Sequence, residues 1–118
     1  MKESIVQTRS FEFSLKIIRL YKKLQEEKEF VISKQILRSG TSIGANIEEA
    51  LAGQSKRDFI AKMSISSKEA RETKYWLRLL KESELTKINV DDLIKDIFEL
   101  IRILTSIVKT SQQNLTKN

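Results

Sequence analysis

The chain has 118 residues, 40% of them hydrophobic and 32% charged, with a net charge of +6, which suits one soluble domain with its own core. It has no proline and three glycines, too few turn-forming residues for an all-β fold. The absence of cysteine and histidine excludes disulfides, thiol nucleophiles, the usual zinc sites, imidazole-dependent triads and histidine proton shuttles.

The first helix is predicted from about Ser4 to Lys28, with Val6, Phe13, Ile17, Leu20 and Leu24 at three- and four-residue steps. Phe11, Leu15 and Ile18 lie roughly opposite that face. The second runs from about Val31 to Ala52 through Ile36, Ser39, Ile43, Ile47 and Ala50, and Gly53 is its natural stop. Within it, Gly40 and Gly44 form a small-xxx-small pair expected to match the small residues of the third helix. Glycine inside a helix costs roughly 1 kcal/mol, so the pair needs a reason.

The third helix is predicted over about Lys56 to Glu82, started by Ser55 with Asp58 three residues on. Phe59, Met63, Ser66, Ala70, Thr73, Leu77 and Leu80 form its seam. On its flank Ile65, Glu69, Glu72, Trp76 and Leu79 make a second stripe. This stripe and that of Phe11, Leu15 and Ile18 are either the edges of a wide core-facing arc or subunit contacts. Opposite the seam, Arg57, Lys68, Arg71 and Arg78 align with Tyr75 among them. Residues 54–86 also carry the largest basic surplus of any segment. Such a row is either a solvated face offset by Asp58, Glu69, Glu72 and Glu82, or a contact for phosphates and a base.

The fourth helix follows Asn89 as N-cap, with Asp91 and Asp92 in its first turn, and runs to about Ser111. Residues 112–118 are expected to fray. Connections of two to seven residues make consecutive helices antiparallel neighbours. The fold class is therefore all-α: a single-domain (1–118), antiparallel, up-down-up-down four-helix bundle.

Catalytic groupings are scarce. Glu48 with Glu49, and Glu69 with Glu72, resemble the carboxylates of bundle metal sites, but those sites normally include Glu-x-x-His. No metal, cofactor or enzymatic activity is expected. The longest uncharged run, Ser39 to Ile47, is far short of a membrane span, and the first residues lack the apolar stretch of a signal peptide. The expected location is cytoplasmic, with no membrane association.

The run Leu37-Arg38-Ser39-Gly40-Thr41-Ser42-Ile43-Gly44-Ala45-Asn46-Ile47-Glu48-Glu49-Ala50 resembles the signature of the 23S ribosomal RNA intervening-sequence protein family. So do Ser55-Lys56-Arg57-Asp58-Phe59 and the stretch from Lys68 to Leu80. Many members have proline where this chain has Gly44, and glycine where it has Ala50. The resemblance implies a small antiparallel bundle, often a ring-shaped homopentamer, with no catalytic residues. A related branch, the accessory protein of diversity-generating retroelements, implies binding to nucleic acid and to a reverse transcriptase. Ser42, Asn46, Glu49 and Glu72 match recurrent polar positions of the family, and Arg38 a recurrent basic one.

Ser42, Asn46 and Glu49 share one side of the second helix. They either form a polar network with Arg38 or Glu72 that fixes register or a subunit interface, or cap the glycine region. Two function classes follow: a non-catalytic, oligomeric RNA-binding accessory protein, and a protein-interaction scaffold that binds no nucleic acid.

Overall fold

A computed structural model describes residues 4–116. Met1 to Glu3, where the missing signal sequence was read, and Lys117 and Asn118 lie outside the described residues. Four helices follow in chain order: α1 (Ile5–Glu26), α2 (Ile32–Leu51), α3 (Lys56–Glu82) and α4 (Asp91–Thr116). The chain is the single-domain four-helix bundle expected, and its elongation, 52 × 26 × 21 Å, follows from helices that rise about 1.5 Å per residue.

Each helix begins where a side chain can satisfy the free N–H groups of its first turn. The Ser4 hydroxyl accepts from Gln7 N–H at 3.1 Å, and that of Ser55 accepts from Asp58 N–H at 3.0 Å. At α2 the cap comes from the preceding turn: the Glu29 carboxylate accepts from the N–H groups of Val31, Ile32 and Ser33 at 2.9, 3.1 and 2.6 Å. An anion there also meets the positive end of the helix dipole. Asn89 stands two residues before α4 and accepts from Asp91 N–H at 2.8 Å, one place outside the N-cap expected for it.

Helix ends depart from expectation. Gly53 stops α2 without a left-handed backbone, since no glycine has positive φ. Among the described residues the left-handed ones are Lys28 (φ 61°) and Glu84 (φ 58°). Around Lys28 the N–H of Glu29 reaches Leu24 O at 2.9 Å and that of Lys28 reaches Gln25 O at 2.9 Å, the double closure that ends many helices. The last connection, residues 83–90, is longer than predicted. Instead of fraying after Ser111, α4 continues to Thr116, with Leu115 half-buried on its inner side.

Phe13 and Ile17 of α1, Ile43 and Ile47 of α2, Leu77 of α3 and Ile97 of α4 belong to one buried cluster that takes in the apolar residues of the predicted seams, except that Phe59 and Ile107 are only partly buried against it. Full burial of such a side chain stabilises by about 1.5–3 kcal/mol. Packing joins α2 to α3 most extensively, then α3 to α4 and α1 to α2, and only lightly α1 to α4. Among the described residues the diagonal pairs, α1 with α3 and α2 with α4, bring no Cα atoms within 8 Å of each other.

Small buried residues let α2 and α3 approach. Ser66 donates to the Ile43 carbonyl at 2.8 Å and Thr73 to the Ser39 hydroxyl at 2.9 Å. These side chains thus carry buried polar contacts between the two helices as well as making room. The glycines are placed differently from the expectation: Gly40 and Gly44 face α1, against Ile17 and Ser10. One residue is about 100° of turn, enough to move position 40 from the α3 side, where Ser39 lies, to the α1 side.

Candidate nucleic-acid interface

On the outer side of α3, Arg57, Lys68, Arg71, Tyr75 and Arg78 are all exposed, away from the buried Met63, Ala70 and Leu77. Whether the row is a basic surface depends on where the nearby carboxylates go. Glu69 and Glu72 turn toward α2, where both pair with Arg38, Glu69 at 3.3 Å. Asp58 lies at the start of α3 beside Gly53. Glu82 alone joins the row, pairing with Arg78 at 3.1 Å. Arg57, Lys68 and Arg71 therefore have no carboxylate partner among the described residues; Arg71 donates to the Thr105 hydroxyl at 3.2 Å. The offsetting acids expected from the sequence are mostly engaged elsewhere.

The predicted polar network divides into separate contacts. Arg38 joins α2 to Glu69 and Glu72 of α3, and Glu72 also accepts from the Trp76 indole at 2.9 Å. Ser42 and Asn46 do not meet each other's side chains. The Ser42 hydroxyl donates to Arg38 O at 2.6 Å, and the Asn46 amide to Ser42 O at 2.8 Å. Each closes on the turn before it, as short polar side chains in helices do. Glu49 pairs with Lys62 at 3.2 Å.

Of the two apolar stripes, Phe11, Leu15 and Ile18 on α1 are exposed, as are Ile65 and Leu79 on α3. Trp76 differs: it is half-buried and packs on the core, so for this residue the wide-core reading fits. Because α1 and α3 are diagonal in the bundle, the two stripes are separate patches.

The sequence reading missed the cations of α4. Lys95, Arg102 and Lys109 recur every seven residues on its outer side and are exposed; their spacing was the available signal. Phe98, 52% exposed beneath the Lys74 ammonium, was missed as well. No cluster of metal-ligating side chains occurs among the described residues, and no helix there is long and apolar enough to cross a membrane. A cleft of about 510 Å³ between the α2–α3 turn and the end of α4 is lined by residues such as Leu51, Gln54 and Phe59 and gathers no catalytic grouping.

A family model described as 23S rRNA-intervening sequence protein matches residues 2–106. A crystal structure of a protein of unknown function from the S23 ribosomal protein family of Bacteroides thetaiotaomicron superposes with a TM-score of 0.84. It is 52% identical in sequence, covering 89% of this chain and 99% of that one. No curated protein is significantly similar to the chain.

Proposed function

Starting from the fact that the chain belongs to the 23S rRNA-intervening sequence protein family, we propose that it is a non-enzymatic, cytoplasmic accessory protein that binds RNA along α3. The observation that carries this reading is the diversion of Glu69 and Glu72 to Arg38, which leaves Arg57, Lys68 and Arg71 without a carboxylate partner among the described residues, so that their charge can meet phosphates around Tyr75. Filter binding with a structured RNA that carries both paired and unpaired segments, at about 50 and 200 mM salt, tests it, because phosphate contacts release counterions and make affinity fall steeply with salt. Replacing Arg57, Arg71 and Arg78 together with glutamine should weaken binding and flatten its salt dependence while helicity is kept. Absence of binding at the lower salt would reject the reading in favour of a protein-interaction scaffold.

The same proposal includes a homo-oligomer, a ring of five subunits. A head-to-tail ring needs two different patches on each subunit. The exposed Phe11, Leu15 and Ile18 on α1, and Ile65 and Leu79 with the edge of Trp76 on α3, supply them on diagonal helices. Repetition of a weak basic row around such a ring raises avidity. Sedimentation as a monomer at micromolar concentration would refute the assembly. A protein partner of the reverse-transcriptase class belongs to this reading too, and co-purification tests it.

A further inference from the structure

Charge is sorted by side around α4. Asp96 and Glu99 face α1, where they pair with Lys16 at 2.7 Å and Arg9 at 3.3 Å. Lys95, Arg102 and Lys109 occupy the outer side, exposed and without an ion pair among the described residues. Three contacts fix the register of α4 against α3: Arg71 with Thr105, Lys74 over the Phe98 ring at 5.1 Å, and Lys81 with Asp91 at 2.6 Å. In that antiparallel register Arg78 stands about level with Lys95, and Arg71 with Arg102. Seven residues of helix separate successive cations of the α4 row by about 10 Å, and packed helices lie about 8–10 Å apart. The result is a two-railed basic surface that runs lengthwise along the bundle.

Two exposed aromatic rings belong to this surface: Tyr75 stands within the α3 row, edge-on to the Trp76 ring, and Phe98 lies under Lys74 where α4 meets α3. Tyr75 is 57% exposed and Phe98 52%, and Tyr75 forms with Arg78, Leu79 and Glu82 a shallow depression of about 210 Å³. A duplex presents phosphates and sugars to such a surface, with its base faces hidden in the stack. An unpaired strand presents base faces that stack on aromatic rings. Cations alone would serve either form; rings set among the cations favour the unpaired one.

We propose that the ligand of this face is an unpaired RNA strand laid along the surface between α3 and α4, its phosphates on the two cation rows and its bases on Tyr75 and Phe98. This rests on the RNA-binding reading above and specifies its substrate class. The test is fluorescence anisotropy with a labelled uridine-rich single strand and a blunt duplex of equal length, at about 50 and 200 mM salt. The single strand should bind at least about tenfold more tightly, because each base stacked on an aromatic ring contributes about five- to a hundredfold in affinity. Tyr75→Ala and Phe98→Ala, both at exposed positions, should each weaken the single strand by that factor and leave duplex binding unchanged, and Phe98→Tyr should retain affinity. Lys95→Gln, Arg102→Gln and Lys109→Gln together should lower the salt slope for the single strand by about two. Equal or tighter binding of the duplex would overturn this proposal while the RNA-binding reading stands, and so would aromatic variants that bind the single strand normally. No binding of either RNA at low salt would overturn both.

Discussion

A side chain at position 40 would collide with Ile17. A Cβ built on Gly40 lies 2.9 Å from Ile17 Cγ1 and 3.0 Å from its Cγ2, and Ile17 is fully buried. One turn on, a Cβ on Gly44 would meet the Ser10 hydroxyl at 3.5 Å, an ordinary contact. Gly40→Ala should destabilise by about 1–3 kcal/mol through overpacking, less whatever alanine returns in helix propensity. Gly44→Ala should stabilise by about 0.5–1 kcal/mol. Urea titrations of the two variants side by side check the contrast; equal effects would contradict the packing described.

The hydroxyl pair between α2 and α3 gives a second expectation. Thr73→Val keeps the shape but removes the hydroxyl that meets both Ser39 Oγ and the Glu69 carbonyl, at a cost of about 1 kcal/mol. Ser39 still donates to Gln35 O at 2.9 Å, so adding Ser39→Ala should cost less than the two single losses combined. A double-mutant cycle by chemical denaturation measures that coupling.

Lys28 and Glu84 hold a left-handed backbone that glycine adopts without penalty. For other residues the conformation costs roughly 1–2 kcal/mol. Lys28→Gly and Glu84→Gly should each raise stability by up to about 1 kcal/mol, since glycine's greater freedom in the unfolded chain offsets part of the relief. Thermal denaturation checks this, and a lowered melting temperature for both would count against the assigned turn geometry.

Where α1 meets α4, the hydrogen bond from Lys16 to Asp96 holds the ammonium above the ordinary lysine range, against a smaller opposing effect of burial. A raised folded-state pKa means that the contribution is complete below the unfolded value and disappears as pH climbs through the folded one. Asp96→Asn should therefore cost no more than about 1 kcal/mol at neutral pH, as exposed pairs do. Its deficit against the unmodified protein should shrink above the ordinary lysine pKa of 10.5. Urea midpoints of both proteins at neutral and strongly alkaline pH would reveal the convergence.

The bounds of α3 were readable because Ser55 and Asp58 form a local cap next to a polar break, all within neighbouring residues. The start of α2 was less so, since its cap is a glutamate three residues upstream whose carboxylate folds back over the turn. For the glycines, the spacing revealed a need for close approach but not which neighbour made it, a choice fixed by a single residue of helix rotation. The α3 cation row was legible as periodicity. The fate of Glu69 and Glu72 was not, because it depends on Arg38 of another helix, and charge pairing between helices leaves no periodic mark along either one.

Nearly all of the packing joins helices that are consecutive in the chain, and the closure of α1 against α4 is slight. Each hairpin can therefore form across a short turn, with little of the entropy cost that long loops impose. Such a topology places the chain among proteins that fold in microseconds to milliseconds. During synthesis, α1 and α2 can dock as soon as both have emerged, around the turn that Glu29 already organises, without waiting for the carboxyl-terminal helix.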